Sequence, residues 1–125
     1  MLEVIIVGIG GFIGANIRFL LSKLLNNQTF PYATLLANVS AAFIIGIVLG
    51  LTNTSFDLTP RTKLLINTGI LGGLSTFSTF SLETITLIQQ ERYVDGTLNI
   101  LLNVALSLIA VLLGLSLAKT LTKTI

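Results

Sequence analysis

The sequence contains no histidine, no cysteine and no tryptophan, and only seven basic and five acidic side chains in 125 residues. Without cysteine there is no thiolate to act as nucleophile or metal ligand, and the redox compartment is left open. Without histidine the commonest metal ligand and the commonest general base at neutral pH are missing. No nucleophile and base stand together in the sequence, which argues against an enzyme. The net charge of +2 comes from too few groups to indicate nucleic acid, and no basic run interleaved with aromatics occurs. The two prolines, Pro31 and Pro60, both fall between apolar runs.

What is present is apolar. Fully 53% of the residues are hydrophobic and 10% are charged, whereas soluble domains carry roughly a quarter charged residues. This is the composition of an all-α membrane protein. Four runs have the length of about 20 residues that a bilayer crossing needs. They cover approximately 4–24, 33–51, 64–88 and 98–118, and make residues 1–125 a single transmembrane domain. The first differs from a signal peptide, because Glu3 stands where a basic n-region belongs and no cleavage site closes the run. Four crossings put both termini on one side. One copy barely encloses a polar path, so an oligomer is expected.

Two further patterns bear on assembly. Glycines recur at four-residue spacing in three runs, as Gly10 and Gly14, Gly46 and Gly50, and Gly69 and Gly73. In lipid that spacing lets helix backbones approach closely. The basic residues divide as Arg61, Lys63, Lys119 and Lys123 on one side against Lys23 and Arg92 on the other, with Arg18 set two turns inside that end. The positive-inside bias is therefore small, and insertion in both orientations is compatible with it.

Polar side chains inside apolar runs are costly in hydrocarbon and therefore informative. Thr34 and Asn38 lie four apart on one face of the second run, and Asn103 and Ser107 share a face of the fourth. The third carries GGLSTFSTFS at 72–81, in which Phe77 and Phe80 share a face beside the hydroxyls of Ser78, Thr79 and Ser81. Each stripe read alone is also compatible with hydrogen-bonded packing between helices. The pair Gly72 and Gly73 reads either as a break near the middle of the third helix or as a close-packing contact. A break at membrane depth requires that the freed backbone groups be buried in protein or line a water-filled path. With no cationic side chain near the midplane, the donors on offer are Asn amides, Ser and Thr hydroxyls and the positive edges of phenylalanine rings. A small anion that accepts strong hydrogen bonds matches them best.

GGFIGANIRF at 10–19, ATLLAN at 33–38 and GILGGLSTFSTFSLE at 69–83 resemble the Fluc (CrcB-type) fluoride channels of bacteria and archaea. The resemblance covers essentially the whole chain. It implies an antiparallel, dual-topology homodimer of four-span subunits in the cytoplasmic membrane, with the third helix broken. Such a dimer has two fluoride pores and a structural sodium ion on its two-fold axis. It also implies passive, fluoride-selective export that confers fluoride resistance. Residue by residue, Phe77 and Phe80 correspond to the paired pore phenylalanines, Asn38 to the pore asparagine and Thr34 to the hydroxyl one turn before it. Ser78, Thr79 and Ser81 correspond to a hydroxyl track, Ser107 to the pore serine of the fourth helix, and the backbone carbonyls of Gly72 and Ser75 to the sodium ligands.

Ser75 and Ala33 depart mildly from the family pattern, where threonine and glycine are usual, and Asn103, at a variable position, is read as a vestibule or gating residue. Glu83 is read as a gating or hydrogen-bonding group, because a carboxylate repels an anion. Arg18 is read as a structural group that snorkels, or as a vestibule cation. The alternative function is a proton-coupled exporter of the small multidrug type that uses Glu83. It suffers from the lack of an embedded acid in the first run and of tryptophan. A non-transporting assembly subunit is a third reading.

Overall fold

The computed structural model describes residues 1–25, 29–52 and 58–123, and among these every regular element is helical. Three helices are long and apolar enough to cross a membrane: α1 (Leu2–Leu24), α2 (Tyr32–Thr52) and α6 (Tyr93–Lys123). At 1.5 Å of rise per residue, even 21 residues reach about 30 Å, the thickness of the hydrocarbon core. The chain is a multi-pass membrane protein. Large side chains such as Phe12, Leu101, Leu108 and Leu112 stand exposed on its surface, as a lipid-facing surface requires.

Between α2 and α6 the backbone is irregular. Helix α3 (Pro60–Lys63) opens with Pro60 in its first turn, and the Thr59 hydroxyl accepts from the Thr62 N–H at 3.2 Å. Proline suits this position because its missing N–H has no helical partner there. A π-helical stretch, Leu64–Leu71, and a short α4, Gly72–Leu74, continue the same rod. The glycine pair is thus helical, with Gly72 at φ −65° and ψ −35°. The backbone leaves the helix two residues later, at Ser75 (ψ 152°) and Thr76 (φ −152°, ψ 120°), and re-enters it as α5 (Phe77–Gln89).

The glycines at four-residue spacing pack against one another and against neighbouring backbone. A Cβ on Gly10 would lie 2.7 Å from the Gly69 Cα, and one on Gly73 would lie 2.7 Å from the Gly11 carbonyl oxygen. Helix α1 therefore lies flush on the 64–74 rod, with Gly14 against the Ile70 carbonyl. On the other side Gly46 meets the Val111 backbone and Gly114 meets the Phe43 carbonyl, which joins α2 to α6. The two pairs meet where Ala37 and Ala41 of α2 pack on Leu71 and Leu74. In the turn from α5 to α6, Glu91 takes a left-handed φ of 61°. There the Arg92 N–H reaches the Leu87 carbonyl at 2.9 Å and the Glu91 N–H the Ile88 carbonyl at 3.0 Å, the paired bonds of a Schellman cap.

Backbone contact of this kind leaves no volume for a side chain. Gly14→Leu is expected to push α1 off the rod and to lower stability by roughly 1–3 kcal/mol. Thermal unfolding of the detergent-solubilised protein, followed by size-exclusion elution, measures it.

Candidate functional site

The two extended residues determine the chemistry around them. In a continuous helix the Thr76 N–H would be given to the Gly72 carbonyl. Here it goes instead to Asn38 Oδ1 on α2, at 2.8 Å. The Asn38 amide nitrogen in turn donates to the Thr76 carbonyl at 3.3 Å. One side chain thus clamps both backbone groups of one residue, and so satisfies polar atoms that hydrocarbon cannot. The Thr76 hydroxyl then caps α5, accepting from the Thr79 N–H at 3.2 Å. That second diversion takes from the Ser75 carbonyl the donor it would have in a helix. Gly72 and Ser75 therefore both lose their helical donors to side-chain oxygens.

Asn38 also donates to Asn103 Oδ1 on α6 at 2.9 Å. These residues border a cavity of about 480 Å³ whose wall, among the described residues, carries no charged side chain. Phe77, Phe80, Gly72, Ser75, Thr76 and Ser107 face the same space. The Phe77 and Phe80 rings tilt at 54° with their centroids 5.5 Å apart. Phe80 is buried, while Phe77 remains 79% exposed. The wall is mainly apolar, and its polar side chains are the neutral amides and hydroxyls of Asn38, Asn67, Asn103, Ser75, Thr76 and Ser107, of which amide N–H and O–H groups are donors that favour negative charge.

Neutral carbonyl oxygens are hard donors suited to an alkali cation. The residues that the resemblance implies for sodium fit in this respect, since the carbonyls of Gly72 and Ser75 have lost their helical donors and the two residues line one cavity. The Ser75 side chain takes no part, because its hydroxyl donates to the Leu71 carbonyl at 2.8 Å. Threonine in place of serine would leave that backbone oxygen unchanged.

The polar groups further along α5 separate into distinct environments. Thr34 is buried and donates to Glu83 Oε1 at 2.7 Å, while Glu83 Oε2 is buried without a partner among the described residues. Glu83 lines a second cavity of about 530 Å³ with Arg92, Thr86 and Tyr32. Arg92 is held by Asp95 at 2.7 Å. Thr79 and Ser78 gather around the Thr76 hydroxyl, at 3.0 Å and 3.3 Å respectively. Ser81 is turned back on the Phe77 carbonyl at 2.8 Å. Arg18 lies half-buried on α1 and lines neither cavity.

The family model of CrcB-like protein, Camphor Resistance (CrcB), matches residues 5–115. The chain belongs to the CrcB family. A protein of Ruminiclostridium cellulolyticum named fluoride-specific ion channel FluC is 48% identical, with 96% of this chain and 95% of that protein covered. Similar proteins of the same name occur in Clostridium novyi, at 46% identity over 92% of each chain, and in Pyrococcus furiosus, at 44% over 94% of this chain and 96% of that one. These CrcB relatives span bacteria and an archaeon at nearly full length.

Sequence reasoning missed Thr76 and Asn67, which line the cavity, and Thr84 and Asn99, which bond behind it. Thr84 and Asn99 continue the buried hydrogen bonds beyond Asn103, with Asn99 donating to Thr84 at 2.9 Å. The signal was available, because Asn99, Asn103 and Ser107 recur every four residues and so share a face of α6. Asn99 stands only one residue inside the expected fourth run, and there it reads as an interfacial residue. Thr76→Ala removes the cap of α5 and is expected to cost about 1 kcal/mol, with Thr76→Ser close to wild type. Paired thermal denaturation of the two variants measures the difference.

Proposed function

We propose that this chain is a fluoride-selective channel that lets the anion leave the cell passively through the cytoplasmic membrane. The observation that carries the reading is a half-open cavity lined by Asn38, Phe77, Phe80 and Ser107 and, among the described residues, by no charged side chain, in a chain whose relatives bear the name fluoride-specific ion channel. A small anion holds its water tightly and gives it up only to donors at close range. Amide and hydroxyl groups on the cavity wall are such donors once a second copy closes it. Phenylalanine edges add positive potential without a fixed charge that would trap the ion. Chloride, larger and softer, gains less from the same groups.

The working unit is a homodimer of four-crossing subunits in opposite orientations, with 60–89 forming the third crossing, interrupted at Ser75 and Thr76. The weak basic bias between the two loop sides and the half-open cavity both support it. The cavity is closed on its exposed side by a second copy, and Phe77 is covered there. The Gly72 and Ser75 carbonyls of both copies would hold sodium, which when bound would supply a fixed positive charge. Ser78 and Thr79, gathered at the Thr76 hydroxyl, continue the path beyond the cavity, while Thr34 engages Glu83 at its end.

Export follows from acid–base chemistry and the membrane potential. Fluoride crosses the bilayer as neutral HF from acidic surroundings and is trapped as the anion at neutral cytoplasmic pH. An inside-negative potential then drives it outward, at about 2.3 kcal/mol per charge per 100 mV. Neither a coupling ion nor ATP is required. In liposomes of purified protein, Phe80→Ile is expected to abolish fluoride efflux while the dimer elutes unchanged. Wild-type efflux from that variant would contradict the role assigned to Phe80.

A further inference from the structure

Buried side-chain amides form a continuous ladder from the interruption in the 60–89 segment into the body of α6. Asn38 donates to Asn103 Oδ1 at 2.9 Å. Asn103 donates from its amide nitrogen to both the side-chain oxygen (2.9 Å) and the backbone carbonyl (3.0 Å) of Asn99. Asn99 donates to the Thr84 hydroxyl at 2.9 Å, and Thr84 donates to the Phe80 carbonyl at 2.8 Å. Every donor points the same way along the chain. Asn99 is wholly buried, and Thr84 and Asn103 nearly so.

The direction of this ladder is fixed by backbone groups that cannot reverse. At one end the Thr76 N–H requires an oxygen, which places Asn38 Oδ1 there. In the middle the Asn99 carbonyl and Asn99 Oδ1 can only accept, so the Asn103 nitrogen and not its oxygen faces them, which turns Asn103 Oδ1 toward α2. A flipped Asn38 or Asn103 would set donor against donor or acceptor against acceptor in a buried site, at the full desolvation cost of each group. The Asn38 nitrogen must therefore face Asn103. One of its hydrogens is committed to that bond, and the other makes only the longer 3.3 Å contact with the Thr76 carbonyl.

We infer that Asn99 and Thr84 are positioning residues for the ion path: acting through Asn103, they hold Asn38 as a donor with one N–H weakly engaged and available to an anion. The inference rests on the fluoride-channel reading. Neither residue need touch the ion. Thr84 ends the ladder on a carbonyl that can only accept, and so commits Asn99 to donate at that end and accept at the other. With Thr84 lost, the Asn99 amide nitrogen is buried without its acceptor, and the position from which Asn99 Oδ1 holds Asn103, and through it Asn38, is loosened. Cooperative polarisation along aligned hydrogen bonds is lost with it.

Thr84→Val keeps the shape of the side chain and removes its hydroxyl, whereas Thr84→Ser keeps the hydroxyl. In liposomes, Thr84→Val is expected to slow fluoride efflux about tenfold, the consequence of one buried hydrogen bond left unmade, and to raise the half-saturating fluoride concentration. Thr84→Ser should return both to within about twofold of wild type, a margin well below one buried bond. Thermal stability of the dimer serves as the control, because packing defects lower it in both variants while a lost hydroxyl separates them. If Thr84→Val does not assemble, Asn99→Leu is read in the same assay against the same expectation. Wild-type efflux and half-saturation in the assembled variant would overturn the inference, as would equal slowing by Val and Ser. Failure of the wild type to conduct fluoride would instead overturn the channel reading on which it rests.

Discussion

A polar backbone group inside a bilayer has to find a partner within the protein, and the arrangement around Thr76 follows from how that need is met. Asn38 supplies the acceptor for the Thr76 N–H and a donor for its carbonyl, which allows two residues to stay extended between helical segments. Once the chain is extended there, α5 needs its own N-terminal cap, and Thr76 provides it. The Gly72 and Ser75 carbonyls lose their helical donors as a consequence. A single side chain on α2 thus organises the interruption, the start of α5 and the polar wall of the cavity together.

This clamp depends on tight packing. The α1 glycines bring the 64–74 rod against a backbone surface, and Gly46, Gly50 and Gly114 do the same for α2 and α6. Both contacts fix the rise and rotation of the helices that carry Asn38, Asn103 and the Thr76 backbone. An amide hydrogen bond tolerates only a few tenths of an ångström before it weakens. The glycine faces and the asparagine clamp are therefore two parts of one device, one setting distance and the other setting polarity.

Much of this was legible in the sequence, because membrane helices announce themselves by length and composition, and polar residues at four-residue spacing announce a shared face. Thr34 with Asn38 and Asn103 with Ser107 follow that rule. The paired phenylalanines with their flanking hydroxyls carried the family resemblance. The location of the interruption was not legible. Gly72 and Gly73 invite a break by propensity, yet they remain helical because their lack of side chains is used against α1. The extended residues are Ser75 and Thr76, since the competing acceptor for the Thr76 N–H comes from a helix 38 positions earlier in the chain, which no local pattern reveals. The π-helical stretch from Leu64 to Leu71 was not legible from length and composition, which mark only an apolar run. Asn99 lies near the end of an apolar run, where the sequence does not distinguish an interfacial residue from a buried one, and it is wholly buried.

The central claim is that neutral donors on the cavity wall pass fluoride and refuse chloride. It is tested most directly by reconstituting the purified protein in liposomes loaded with both salts, and by following release with fluoride and chloride electrodes on matched samples. The account predicts rapid release of fluoride and none of chloride above protein-free vesicles. Release of both anions, or of neither, would contradict it.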